Sequence, residues 1–327
     1  MSAPAIIGTD LNLAAALLEA GKLVAIPTET VYGLAGNALD TAALAQIFLV
    51  KGRPHFDPLI VHIPDVHSVE LYASAFPEQA RALAAKFWPG PLTLVLPRKN
   101  IIPDLVCAGG PSVALRVPNH PLTLELLRKS GLPLAAPSAN PFGYISPTRP
   151  EHVAAQLGNR ISYILDGGPC DIGLESTVVS FAGPKPEILR LGGLAPERIR
   201  EVIPDISMSL RQSSNPIAPG QLDKHYAPKT KLVLTGNIRQ YLSQHKLPQQ
   251  TALLLFHHGV PEWPSDAQMI LSPQGTTAEA AQHLFACMRA LDQAGFALIL
   301  AEQAPETGLG PAINDRLLRA SFQETST

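Results

Sequence analysis

Hydrophobic and polar positions along this chain follow two periods. "KLVAIP", "PLIVHI", "LTLVL", "SVALRV", "SYILDGG", "STVVSF" and "EILRLG" are short apolar runs bounded by glycine, proline or polar residues. That pattern predicts buried strands. Segments of helical period lie between them. Thr9 or Asp10 caps a first helix that ends at Gly21, and Asp40 caps a second over "TAALAQIFLVK". "PEQARALAAKFW" carries proline in its first turn, and "HPLTLELLRKS" is closed by Gly131. "SPTRPEHVAAQLG" opens with Thr148-x-x-Glu151, which reads as a capping box. "TETVYGLAGN" reads as a loop or turn, "LPLAAPSAN" as a strand running into a polar loop, and "APERIREVI" as a helix. Strands and helices mix without strict alternation, so the expected fold is a twisted mixed α/β sheet with flanking helices.

The rhythm breaks at residues 204–230, where Pro, Ser, Gly and Asn accumulate without periodicity. That stretch is the expected linker. Beyond it, "KLVLTGN", "TALLLFHH" and "FALILAE" alternate with helical runs such as "TAEAAQHLFACMRALDQAG". A small parallel, Rossmann-like α/β domain is expected there. The division is therefore 1–203, a linker at 204–230, and 231–327.

The length of 327 residues also suits two domains. Hydrophobic residues make up 46% and charged residues 16%, which argues for packed cores and against disorder. A net charge of −2 gives no general pull towards nucleic acid. The three cysteines, Cys107, Cys170 and Cys287, form no CxxC or Cys/His cluster, so neither a disulfide framework nor a zinc site is expected. The N-terminus lacks a basic start, and no apolar run reaches the ~18 residues of a membrane span. A cytoplasmic location with no membrane contact is the expectation.

Polar islands interrupt the first domain. In "PTETVYGLAGN", Thr28, Glu29, Thr30 and Tyr32 follow a strand directly, where α/β folds often bind ligands. A turn with satisfied hydroxyls explains them equally well. In "FLVKGRPHFDPLIVHI", Lys51 and Arg53 share parity and would point one way in extended chain, making a site for a polyanion. The alternative is a solvated helix end. Arg116 sits inside an apolar strand and needs an anion, either an internal carboxylate or a substrate's. "APSANPFGYISPT" gathers Ser138, Asn140, Ser146 and Thr148, suited to phosphates and sugars or to plain turn chemistry. Ser176 and Thr177 open a strand, and Arg190 is a second strand arginine. His62 is a candidate base, although a lone histidine in an apolar strand is more often structural. No P-loop, strand-linked GxGxxG, GxSxG or HExxH motif occurs, so any ATP is held without a Walker motif.

"PTETVYGL", "KGRP…PLIVHI", "FWPGPLTLVL", "VALRVP", "APSAN", "ESTVV" and "LRLGG", in this order over most of residues 20–200, resemble the YrdC-like threonylcarbamoyl-AMP synthases. "APGQLDKHYAP" and "GLGPAINDRLLRAS" are similar to the long, two-domain form. The resemblance implies that L-threonine, bicarbonate and ATP give threonylcarbamoyl-AMP and pyrophosphate. The product would feed a separate transferase that modifies the adenosine beside the anticodon of tRNAs reading A-starting codons. Direct contact with tRNA is left open.

By the same resemblance, Lys51 and Arg53 are the catalytic contacts to the ATP phosphates. Ser112, Ser138, Asn140, Ser146 and Arg190 complete the nucleotide side, and Tyr226 folds over ATP, making 204–230 a lid. Thr30, His62, Arg116, the backbone at Ala136, and Ser176 form the threonine side. The family usually has asparagine at Asp57. A carboxylate there repels a triphosphate unless it points away or Mg²⁺ intervenes, so Mg²⁺ held with ATP is expected. The competing expectation is a module that binds double-stranded RNA or tRNA without nucleotidyl transfer. Carbamoyl transfer in hydrogenase maturation also uses a related domain, but the acylphosphatase-like and zinc-binding segments expected there are missing.

Overall fold

The computed structural model describes residues 4–210 and 225–322. These divide into two compact units, one built from 4–142, 146–171 and 175–210, the other from 143–145, 172–174 and 225–322.

The first unit carries β1 (Ile6–Gly8), β2 (Val24–Ile26), β3 (Gly33–Asn37), β4 (Ile60–His62), β5 (Leu92–Pro97), β6 (Ser112–Arg116), β7 (Leu134–Ala135), β8 (Tyr163–Leu165), β9 (Thr177–Ser180), β10 (Glu187–Arg190) and β11 (Ser207–Met208). They form one mixed sheet in the order β1-β8-β2-β3-β7-β4-β6-β5-β9-β10-β11. Its helices are α1 (Leu11–Glu19), α2 (Thr41–Lys51), α3 (Val69–Tyr72), α4 (Glu78–Phe87), α5 (Pro121–Ser130), α6 (Pro150–Leu157) and α7 (Pro196–Arg200). Ala14, Ala15 and Leu18 of α1 and Leu126 and Leu127 of α5 close over Val24, Ile26, Ala35 and Leu165 as one core. A second cluster joins Ile60, Val95, Ala114, Val178 and Leu189, drawn from neighbouring strands. Both cores hold the central strands rigidly beneath the polar loops.

Local chemistry explains the boundaries. Asp10 is the cap of α1: its Oδ1 accepts from the N–H groups of Asn12 and Leu13 at 2.8 and 3.0 Å. The capping box expected at Thr148 does not form. Pro150 takes the first helical position of α6 and makes Arg149 the N-cap. Glu151 then stands one place too early to reach back. The stretch expected to be a loop, "TETVYGLAGN", ends in strand β3. Its glycines hid it. A Cβ on Gly36 would come within 2.9 Å of Leu23 Cδ2 and 3.2 Å of Ile47 Cδ1, so the α2 side of β3 has room for hydrogen alone.

The second unit holds β12 (Lys231–Thr235), β13 (Thr251–Leu255), β14 (Gln268–Ile270) and β15 (Leu298–Glu302), parallel throughout in the order β12-β15-β13-β14. Its helices are α8 (Ile238–Gln244), α9 (Thr277–Gln293) and α10 (Gly310–Ser321). At the start of the expected linker, Ser207–Met208 still pairs with β10 as the edge of the first sheet. Residues 211–224, the middle of the expected lid, lie outside the described residues.

Candidate functional site

Helix α2 runs out at Lys51, and Gly52 turns the chain in the left-handed conformation (φ 62°) before Arg53. The extended-chain parity argument for this pair is therefore wrong in its geometry. A helical C-cap sends both cations inward, leaving Lys51 3% and Arg53 7% exposed. This also removes the reading of a solvated helix end. Lys51 Nζ donates to the carbonyls of Ser138 and Asn140 at 2.5 and 2.6 Å, tying down the "PSAN" loop. Arg53 donates from Nε to the Asp57 carbonyl (3.2 Å) and from Nη2 to the Pro58 carbonyl (2.8 Å). Its Nη2 also stands 2.8 Å from Asp57 Oδ2.

The electrostatics follow from burial. Desolvation, then Arg53, push the Lys51 pKa well below the ordinary lysine value, with Asp57 opposing. Burial raises the Asp57 carboxyl, and Arg53, Lys51 and Arg190 pull it back down. Asp57 thus faces cations, and their charge offsets the expected repulsion. Arg190 acts on the same carboxylate although it lies far away in sequence.

Arg190 ends β10 and grips the residue before β9. Its Nε and Nη2 donate to the Ser176 carbonyl at 3.0 and 2.9 Å, and Nη2 also reaches Ser176 Oγ at 3.1 Å. Ser176 Oγ lies 2.7 Å from Thr93 Oγ1, and Ser146 Oγ donates to Glu175 Oε1 at 2.5 Å. Ser146, Ser176 and Arg190 therefore line one wall, although the resemblance divides them between nucleotide and threonine. This wall depends on Gly192, where a Cβ would stand 2.2 Å from the Glu175 carbonyl oxygen. Gly192→Ala should lower stability by about 1–3 kcal/mol and shift Ser176, because backbone must yield to the methyl group. An unchanged urea midpoint would show that the contact relaxes freely.

A second group forms where β4 and β6 end side by side. The strands are parallel, with His62 opposite Arg116. Parallel strands leave ligand sites at their carboxyl ends. Arg116 Nη2 stands 2.7 Å from Glu29 Oε1, with the two side chains 4% and 3% exposed. The internal carboxylate is thus the partner that the buried arginine required. Arg116 Nε donates to the Gly90 carbonyl at 3.2 Å. Burial and the Arg116 charge lower the His62 pKa to about 3, so this imidazole is neutral near pH 7 and is no proton donor there. Thr30 Oγ1 lies 2.8 Å from Thr28 Oγ1. The Ala136 N–H is committed to the Ile60 carbonyl (3.1 Å).

The other expected site residues fall as follows. Ser112 is the buried first residue of β6, paired with Pro97. Tyr226 belongs to the second unit, where it has a positive φ of 63°, stacks on Phe285 (ring centroids 5.4 Å apart) and lies 5.2 Å from the Arg316 guanidinium carbon. Thr93 and Glu175 are not among the expected site residues, and Thr28 and Glu29 are expected only as members of the polar island after a strand. Glu29 was visible only as an acid directly after a strand, since its partner comes from β6. No group of three or more His, Cys, Asp or Glu side chains able to hold a metal occurs among the described residues. None of their helices is long and apolar enough to cross a membrane.

A family profile described as "Telomere recombination" matches residues 16–192, and one for the threonylcarbamoyl-AMP synthase C-terminal domain matches residues 194–321. The chain is 42% identical over 318 residues to threonylcarbamoyl-AMP synthase of Bacillus subtilis, covering 94% of this chain and 92% of that one. It is 40% identical to the Pyrococcus abyssi synthase, covering 95% and 94%. The crystal structure of P. abyssi Sua5 complexed with L-threonine superposes with a TM-score of 0.88 at 39% identity, covering 97% of each chain. Both profiles, full-length relatives and a full-length structural match agree: the chain belongs to the threonylcarbamoyl-AMP synthase family in its long, two-domain form.

Proposed function

We propose that this chain makes threonylcarbamoyl-AMP and pyrophosphate from L-threonine, bicarbonate and ATP, for a separate transferase that modifies tRNA. The observation that carries the site assignment is the pairing of two buried charge systems in one domain. Arg53 Nη2 stands 2.8 Å from Asp57 Oδ2, and the charges of Lys51 and Arg190 act on the same carboxylate. Arg116 and Glu29 pair beside His62 at the ends of parallel strands. The two are linked through Gly90–Pro91, whose carbonyls accept from Arg116 Nε and from the Thr177 N–H next to Ser176.

In this reading the first system holds the polyphosphate and the second the amino acid. Threonine's carbamate attacks the α-phosphorus of ATP, and pyrophosphate leaves. Lys51 and Arg53 offset charge on the phosphate oxygens. Arg116 binds the threonine carboxylate, while Thr30, neutral His62 and the Ala136 backbone surround its side chain. Ser112, Ser138, Asn140 and Ser146 contact the nucleotide, and Ser176, held by Arg190, stands between the substrates. No disulfide joins Cys107, Cys170 and Cys287, of which two are buried and one is half-buried, and this suits a reducing cytoplasm.

Mg²⁺ fits as an ion brought with ATP. It commonly takes one or two carboxylates plus substrate phosphates. Asp57 offers one oxygen, since its buried Oδ1 has no hydrogen-bond partner while Oδ2 faces Arg53. The ion would neutralise phosphate charge there. Asp57→Asn should shift the Mg²⁺ concentration giving half-maximal pyrophosphate release; an unchanged requirement removes Asp57 from that role.

The whole reading is tested by pyrophosphate release with each substrate omitted in turn. Release should require all three. A salt-dependent shift of double-stranded RNA with no turnover of ATP would instead favour the RNA-binding alternative.

A further inference from the structure

We propose that Glu29 receives the α-ammonium group of the amino-acid substrate and takes up its proton before the nitrogen is carboxylated. This deepens the proposed reaction and rests on it.

The argument starts from what Glu29 lacks. Its side chain is 3% exposed, yet among the described residues neither Oε1 nor Oε2 has a hydrogen-bond donor, and Arg116 Nη2 has no acceptor in hydrogen-bonding alignment. The 2.7 Å between Oε1 and Nη2 is an ion-pair distance off the line of the N–H bonds. Buried polar atoms are normally satisfied, and those left over need a physical reason. An adjacent Arg⁺ and Glu⁻ with capacity to spare is the electrostatic complement of a zwitterion. The ligand's carboxylate settles on Arg116, and its ammonium settles on Glu29. Each ligand charge then supplies the hydrogen bonds that its protein partner is missing.

Position supports the same occupant. Glu29 lies between Thr28 and Thr30 on the loop after β2, next to residues already placed on the threonine side. The titratable groups that feel its charge are His120, before α5, and Cys170, after β8. Burial holds both neutral: the imidazole is shifted down and the thiol up. His62, held neutral by burial and by the Arg116 charge, offers no negative partner to an ammonium proton. Glu29 is the carboxylate in place to take it.

The step balances. An N–H bond of the ammonium breaks and the proton passes to the Glu29 carboxylate, leaving the electron pair on nitrogen. That pair forms the N–C bond to bicarbonate. The C–OH bond breaks, and the departing hydroxide takes the second nitrogen proton to leave as water. The result is the threonine carbamate, and Glu29 returns its proton to solvent.

Glu29→Gln in the full-length chain tests this, because it keeps the shape and removes the acceptor. Synthesis from threonine, bicarbonate and ATP should fall by about 10²–10⁴-fold, the range of general acid–base effects. ATP formation from threonylcarbamoyl-AMP and pyrophosphate should persist, since it needs no ammonium deprotonation. Preference for threonine over 3-hydroxybutyrate, which lacks the amino group, should vanish. Equal loss in both directions, or full forward activity, overturns the proposal. So does a wild-type protein that binds 3-hydroxybutyrate as tightly as threonine, a measurement that holds even if the variant does not fold. A wild type inactive in both directions would instead overturn the reaction itself.

Discussion

Lys51→Ala is expected to reduce pyrophosphate release by about 10²–10³-fold, the usual loss when one preorganised donor to developing charge is removed. Two roles meet in this side chain. Its ammonium is buried and destabilised by desolvation and by Arg53, so an anion arriving beside it favours the charged form. It also pins the loop carrying Ser138 and Asn140 through both their carbonyls. Alanine would remove this donor from both carbonyls, although the Ser138 oxygen still accepts from the Asn140 N–H at 3.0 Å; losing a buried hydrogen bond costs about 1–3 kcal/mol when a group is left unpaired. Lys51→Arg separates the roles, since it retains a cation that cannot reproduce the same compact contacts. Activity should recover in part with arginine and not with alanine. Near-normal turnover of a folded Lys51→Ala protein would exclude the phosphate role.

Much of this fold could be read from short apolar runs and caps, because local chemistry dictates them. Asp40 before α2 and Gly131 after α5 stand where capping geometry requires them. The parallel second unit follows from "TALLLFHH" and "FALILAE", which have the continuous apolar character of strands covered on both faces. The failures have physical causes as well. Strand β3 is poor in side chains because α2 presses on it, so its sequence resembles a turn. Met208 in β11 is exposed, so its strand pairs at an edge without the apolar signature of a core.

The site was legible by type and not by pairing. Arg116 in an apolar strand demanded an anion, but nothing local identified Glu29, which comes from another loop. Lys51 and Arg53 were marked by their setting, yet their inward direction comes from one left-handed glycine and not from strand parity. The Arg190–Ser176 clamp joins β10 to the start of β9 across a connection that periodicity does not reveal. Long-range polar contacts depend on topology, and topology was only constrained to a class.

Arg116→Ala should be the most damaging single change on the amino-acid side, and it should act twice. Removing one member of a buried ion pair leaves the other charge uncompensated, at about 3–5 kcal/mol. Glu29, with no hydrogen-bond donor of its own, is exposed to that full cost. The second effect is on function: threonine use should weaken far more than ATP binding, because the nucleotide cations belong to the Asp57 group. Stability and recognition can be told apart with the double variant Glu29→Gln/Arg116→Met. Removing both charges should restore most of the lost stability, since replacing a buried pair whole is often close to neutral. It should restore none of the threonine use. Equal losses of threonine and ATP affinity in a folded Arg116→Ala protein would remove the carboxylate role. Recovered activity in the double variant would show that the pair serves only the fold.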